Sequence, residues 1–250
     1  MIQRDELLRY LHQRLDVDAF SDYCPNGLQV EGRAEIRRIV TGVTACQALV
    51  DAAAAAGADA LLVHHGYFWK GEEPTITGLK RRRVQALLNA GINLLAYHLP
   101  LDAHPQLGNN AQLARRLGLT AEEAFGGAPA IALSGRVDEP VSGEAFAARI
   151  TDCLQRAPLH IPGQATEIRR IAWCSGGAQG YIAQAAALGV DAYLTGEVSE
   201  QTVHIARETG LHFFAAGHHA TERYGAQALG EHLAERFGLQ VEFVDIDNPA

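Results

Sequence analysis

The chain has 250 residues, with 21 Lys and Arg against 29 Asp and Glu, a formal charge of 21 − 29 = −8. With 48% hydrophobic and 20% charged residues it can bury a large core, which excludes a disordered or collagen-like chain. The acidic balance argues against broad binding to nucleic acid through phosphate contacts, while 11 histidines beside a single Met form a surplus that needs a location.

The N-terminus, Met1-Ile2-Gln3-Arg4-Asp5-Glu6, puts charges where a signal peptide needs an apolar stretch, so a soluble, cytoplasmic protein is expected. Cys24, Cys46, Cys153 and Cys174 lie too far apart in sequence for a zinc ribbon or a redox pair. Residues 39–43 read as a short β-branched strand, 45–56 as a strong helix, Gly57 as its cap and 60–63 as the next strand. Asp51, Gly57 and Asp59 interrupt the alanine-rich tract 45–63, so it is no membrane span. Lys80-Arg81-Arg82-Arg83 is a local basic run that leaves room for a nucleic-acid patch. A further strand is predicted over 94–97, and the cluster Gly126-Gly127-Ala128-Pro129 reads as a linker. Beyond it the order returns: strand 171–174, helix 179–188, Gly189, strand 192–195, strand 213–216, then an amphipathic helix running toward Phe237.

That return is an internal repeat. Setting Arg37-Arg38-Ile39 over Arg169-Arg170-Ile171, an offset of 170 − 38 = 132, aligns Gln47 with Gln179, Gly57 with Gly189, Asp59 with Asp191 and Leu62 with Leu194 without a gap. A second alignment, at offset 120, places Gly118-Leu119 over Gly238-Leu239, His98 on His218 and Asp102 on Glu222. Together they predict an α/β fold made by tandem duplication, with one unit over residues 1–125 and a similar one over 126–250. Strands alternating with helices imply mostly parallel sheets, whose functional groups collect at the carboxyl ends of the strands.

Three clusters of histidine and carboxylate stand at such ends. His64-His65-Gly66 follows the strand 60–63; successive strand side chains point to opposite faces, so the two imidazoles reach two neighbouring ions more readily than they chelate one. His98-Leu99-Pro100-Leu101-Asp102 follows the strand 94–97, and Pro100 predicts an extended loop there, with His104 an exposed turn residue. In His218-His219-Ala220-Thr221-Glu222, His218 and Glu222 are one helical turn apart, and the carboxylate can bridge two cations. Taken singly these are loop-mouth histidines, a turn-capping Asp102 and a first-turn Glu222. Taken together they predict a composite metal site. Imidazoles and carboxylates suit Zn, Mn, Fe, Co or Ni, and two divalent ions suit a hydrolysis in which coordinated water is the nucleophile. Tyr67-Phe68-Trp69-Lys70 offers aromatic faces and a cation, for a nucleotide or for packing a loop, and Gly176-Gly177-Ala178-Gln179-Gly180 reads as a tight turn.

With Asp22-Tyr23-Cys24-Pro25-Asn26-Gly27-Leu28-Gln29-Val30, Val63-His64-His65-Gly66, His98-Leu99-Pro100-Leu101-Asp102, Thr195-Gly196-Glu197 and Gly217-His218-His219-Ala220-Thr221-Glu222, the chain resembles the GTP cyclohydrolase 1 type 2 homologues, also called NGG-interacting-factor-like proteins. The resemblance implies a duplicated α/β fold with a dinuclear metal centre between its units, assembled as a toroidal homohexamer. It further implies that His64 and His65 bind different ions, Asp102 and His218 complete one each, and Glu222 bridges both. His98 would be close by as a further ligand or supporting residue, and Glu222 and His98 are the residues expected to act in catalysis. Many relatives carry an aromatic residue where His219 stands, so His219 is not expected to be a ligand. The expected activity is metal-dependent hydrolysis of a nucleotide or nucleotide-like molecule, cyclohydrolase-like or phosphoesterase-like. The alternative is a metal-stabilised, non-catalytic, ring-shaped scaffold or adaptor for protein or DNA partners.

Overall fold

The computed structural model describes residues 1–250. In chain order the elements are β1 (Ile2–Gln3), α1 (Arg4–Arg14), β2 (Gly27–Val30), β3 (Glu35–Ile36), β4 (Arg38–Thr44), α2 (Gln47–Ala55), β5 (Ala60–His65), α3 (Gly78–Ala90), β6 (Asn93–Ala96), α4 (Leu99–Ala103) and α5 (Asn109–Leu117). They continue with β7 (Leu119–Phe125), β8 (Ala132–Val141), α6 (Gly143–Leu154), β9 (Leu159–Ile161), β10 (Ile168–Trp173), α7 (Ile182–Ala187), β11 (Ala192–Thr195), α8 (Glu200–Thr209), β12 (His212–Ala215), α9 (His218–Phe237) and β13 (Gln240–Phe243). The fold is α/β, as expected. No helix is long and apolar enough to cross a membrane.

Two compact units result, and they do not divide at a single cut between residues 125 and 126. One unit is Met1–Leu101 with Gly225–Ile246; the other is Asp102–Tyr224 with Asp247–Ala250. The Gly126 to Pro129 segment, read from sequence as a linker, instead joins the antiparallel strands β7 and β8 inside the second unit. The first unit is discontinuous because β13 pairs in parallel with β4, Val241 opposite Ile39.

The first unit's sheet has the order β13-β4-β5-β6-β2, parallel except for β2, which runs antiparallel to β6. Strands covered on both faces must be apolar throughout, which is why residues 60–63 read as an unbroken hydrophobic run; all four are buried. Val40, Leu61, Val63 and Leu94 pack with Leu49 and Val50 of α2 and Leu87 of α3. The second unit's sheet has the order β7-β8-β10-β11-β12-β9, with the parallel trio β10, β11 and β12 at its centre. Ile171, Trp173 and Phe214 of that trio pack with Phe146 of α6 and Leu113 and Leu117 of α5.

The residues matched by the 132-residue offset do the same job in both units. Asp59 accepts the backbone N–H groups of Arg37 and Arg38 at 2.9 and 3.0 Å, and Asp191 accepts those of Arg169 and Arg170 at 2.8 and 2.9 Å. Each carboxylate satisfies the first amides of its unit's leading parallel strand, groups that would otherwise lack partners.

Two element expectations change. The helix expected over 179–188 begins as a tight turn, Gln179–Tyr181, before α7. The extended loop expected around Pro100 is the short helix α4, since a proline in the first turn of a helix removes an N–H that has no intrahelical acceptor anyway.

Candidate metal centre

β5 runs two residues further than its apolar core, so His64 and His65 are its last residues, at the carboxyl edge of the first unit's sheet. His64 is fully buried, and its Nδ1 lies 3.0 Å from the Tyr97 carbonyl oxygen. A carbonyl only accepts, so Nδ1 carries the hydrogen and Nε2 the lone pair a cation needs. His65 Nδ1 lies 3.1 Å from Thr44 Oγ1. The turn that follows requires a glycine: a Cβ on Gly66 would stand 2.1 Å from Gln29 Oε1, the atom that accepts the Tyr67 N–H at 2.6 Å.

His98 leaves β6 and stands with its ring centroid 5.1 Å from His64 and 5.6 Å from His65. Its Nδ1 is held at 2.7 Å by Asp22, whose side chain is only 3% exposed. The same carboxylate accepts Asn26 Nδ2 at 2.9 Å and the N–H groups of Tyr23 and Leu99 at 2.6 and 3.0 Å. Burial pushes the Asp22 carboxyl up, but the hydrogen bond and charge of His98, with Asn26 and the Tyr23 N–H, outweigh it and hold the group down at about 2. A depressed carboxyl contributes stability that is complete above its ordinary value of 3.8 and is lost as pH falls through about 2. At roughly 1.4 kcal/mol per pH unit this is ~2 kcal/mol. In urea unfolding, the stability gap between wild type and Asp22→Asn should therefore shrink by about that amount between pH 5 and pH 2; a gap independent of pH would contradict the pairing.

Trp69 sets its ring edge-on to His98 at 5.0 Å, anchored by Nε1 donating to the Gly66 carbonyl at 3.2 Å. Its neighbours turn elsewhere. The buried Tyr67 donates its hydroxyl to the Ala45 carbonyl at 2.7 Å, and Phe68 lies under the Lys80 ammonium, 5.6 Å away. Lys80 also pairs with Glu72 at 3.2 Å, so one cation of the basic run is engaged within its own unit. The ligand atoms of His64, His65 and His98 lie within 4.8 Å of one another, as do those of Asp22, Cys24 and His98. The first unit thus carries a His and carboxylate cluster that could hold a metal ion.

The second unit has a cluster of its own. Asp102, on α4, is 6% exposed and accepts Asn109 Nδ2 at 2.8 Å and Ser175 Oγ at 3.2 Å. Ser175 is fixed in turn by donating its N–H to Asn110 Oδ1 at 2.8 Å. His218 opens α9, its Nδ1 2.7 Å from Glu197 and its Nε2 3.1 Å from the buried Glu222, one turn along the helix. Burial lowers the pKa of this imidazole, but Glu222 and then Glu197 overcome it and lift it to about 9. Gly176, at φ +66°, turns beneath the pair, and a Cβ there would meet Glu222 Oε1 at 2.0 Å and His218 Nε2 at 3.2 Å. Glu222 faces His218 Nε2 in a cradle left open by a glycine, a pair that fits a divalent cation in place of the proton, while Glu197 holds the opposite nitrogen and orients the ring.

Sequence reasoning missed Asp22 and Glu197 as partners, although both lie in segments that carry the family resemblance. His98 and His218, matched by the 120-residue offset, each have Nδ1 on a carboxylate at 2.7 Å. The exposed turn role expected of His104 is corrected: it is buried, and its Nδ1 accepts the N–H groups of Gln106 and Leu107 at 3.1 and 3.0 Å. His219 is 8% exposed, and its backbone N–H reaches the Ala250 carbonyl. His160 and His212 share a 3.0 Å hydrogen bond and stack with Phe214, which places them in packing.

Known proteins resemble the chain over nearly its whole length. A Pseudomonas aeruginosa protein named GTP cyclohydrolase 1 type 2 homolog is 61% identical over 239 residues, 94% of each chain. An Escherichia coli K12 protein of the same name is 54% identical over 250 residues, all of both chains. The crystal structure of TTHA1606 from Thermus thermophilus superposes with a TM-score of 0.91 at 35% identity, again over all of both chains. The family described as Duf34/NIF3 (NGG1p interacting factor 3) matches residues 2–249, and the chain belongs to that family.

Proposed function

We propose that the chain is a hydrolase that uses two divalent metal ions, held by His64, His65, Asp102, His218 and Glu222, to act on nucleotides or nucleotide-like small molecules. The observation that carries this reading is the matched pair of 2.7 Å carboxylate–imidazole contacts, Asp22 to His98 and Glu197 to His218. Carboxylates placed behind imidazoles fix their tautomer and raise their basicity, an arrangement typical of metal sites. Ions at such a site supply Lewis acidity and lower the pKa of the water they coordinate.

The protein's own groups then have definable tasks. His64 presents Nε2, because the Tyr97 carbonyl holds Nδ1–H. Glu222 would be one of the residues holding the ions, and His98, oriented by Asp22 at 2.7 Å, would position a substrate group. His98 and Asp102 come four residues apart on one chain segment, so the two clusters are joined covalently through α4. Trp69 offers an aromatic face for a base. The paired aspartate clamps support reading the two units as products of a tandem duplication, and the family relationship supports a homohexameric toroid in the cytoplasm, checkable by light scattering.

Elemental analysis of protein purified without added metal, followed by a turnover screen on GTP, other nucleotides and generic phosphoesters, tests the proposal. Two ions per chain and metal-dependent turnover are expected. Metal without turnover on any of them would favour the second reading, a metal-stabilised adaptor, which draws on the family's description as an interacting factor.

A further inference from the structure

The second unit contains a cavity of about 600 Å³ between α5 and the β7–β8 hairpin. We propose that it is a binding site for a small amphipathic anion, a molecule with an apolar, ring-sized body and one anionic group. This rests on the second unit's fold and not on the metal reading.

The cleft is open because its facing elements carry alanines, of which Ala114 is buried while Ala121 and Ala124 are exposed. Ala111, Ala114 and Arg115 are spaced along α5 so as to share one helical face. Opposite them, Leu119, Ala121 and Ala124 line the cavity from β7. Strict alternation would put Ala124 on the other face from Ala121. The register shift between Ala121 and Glu123 absorbs one residue, so Ala121 pairs with Gly135 and Ala124 with Leu133, which returns Ala124 to the cavity side. The bulge therefore selects which small side chains line the space. An open cleft of this size falls within the range of small-molecule sites, about 300–1,000 Å³.

The polar lining leaves one charged side chain unengaged, Arg115. Asp102 is bound by Asn109 and Ser175, His104 Nδ1 by two backbone amides, and Asp138 by the Thr120 hydroxyl at 2.6 Å. Arg115 lines the cavity with no hydrogen bond or ion pair of its own. A guanidinium beside an apolar wall recognises a carboxylate, sulfonate or phosphate on an otherwise apolar body.

Anilinonaphthalene sulfonate, a fused apolar ring system with one sulfonate, is the probe, and phenylnaphthylamine, which lacks the sulfonate, is its neutral control. With the full chain, saturable fluorescence enhancement at one dye per chain is expected. Arg115→Gln should weaken the sulfonate dye about tenfold, the loss of one charge-assisted hydrogen bond, and leave the neutral dye unchanged. Ala121→Phe, an aromatic on a strand, should abolish binding of both; Ala111→Phe on the facing helix repeats the test if the first variant has an altered melting curve. Binding unaffected by these changes overturns the proposal. So does the finding that wild type binds no dye while Ala121→Phe lowers the oligomeric mass in light scattering, which would make a second copy of the chain the occupant.

Discussion

Glu222→Gln is expected to reduce bound metal and turnover by about 100-fold or more while leaving the fold intact. The substitution keeps volume and shape, so α9 and its packing are undisturbed, but it removes the charge that faces His218 Nε2 at 3.1 Å. Loss of a group merely supporting a metal ligand typically costs 10–100-fold in affinity, and Glu222 is proposed to touch the ions directly. A second readout needs no metal. Glu222 is the strongest influence raising the His218 pKa to about 9, so the imidazole's titration, followed by NMR in metal-free protein, should move down toward its ordinary 6.5. The sign for stability follows: a raised imidazole pKa stabilises the metal-free fold below 6.5, and that contribution disappears as pH rises through about 9. In the variant most of this dependence should vanish. Metal content equal to wild type would refute the ligand assignment, whereas an unmoved titration would refute the His218–Glu222 contact.

Gly176→Ala should be nearly as damaging, though it removes no ligand. The added methyl would stand 2.0 Å from Glu222 Oε1, so the carboxylate has to swing away, and φ +66° costs an alanine about 1–2 kcal/mol besides. These contributions can be separated. Gly189 has nearly the same backbone, φ +67°, but nothing lies within 4 Å of a Cβ there. Gly189→Ala should thus show the backbone cost alone in its melting temperature, with metal affinity unchanged. Gly176→Ala should show that cost plus a loss of about 10–100-fold in affinity for Zn or Co by calorimetric titration. Equal affinity in the two variants would mean that the Gly176 cradle does not shape the site.

What the sequence disclosed and what it concealed divide along the range of the interactions. The parallel strands were readable because two-sided burial forces an apolar run, and the strand exits were readable because His64, His98 and His218 directly follow such runs. The matching of Asp59 with Asp191 was visible as identity, but its meaning, a carboxylate on two successive amides, emerges only in the fold. Asp22 stands 76 residues from His98 and Glu197 21 residues from His218, and no periodicity links such pairs. The helix at Pro100 was missed by treating a first-turn proline as an interior one. His104 looked exposed because it precedes Pro105, yet its ring is enclosed by the amides that follow it.

The parallel pairing of β13 with β4 also has a consequence for how the protein is made. Chains usually fold their N-terminal part first as they emerge from the ribosome. Here the sheet whose earliest strand is Gly27–Val30 is completed only by Gln240–Phe243, which pairs with β4. Every strand of the second sheet, from Leu119 to Ala215, has been translated before then. The order of synthesis and the order of completion are therefore reversed, and the unit that starts first keeps one edge of its sheet open until every strand of the second sheet has been made.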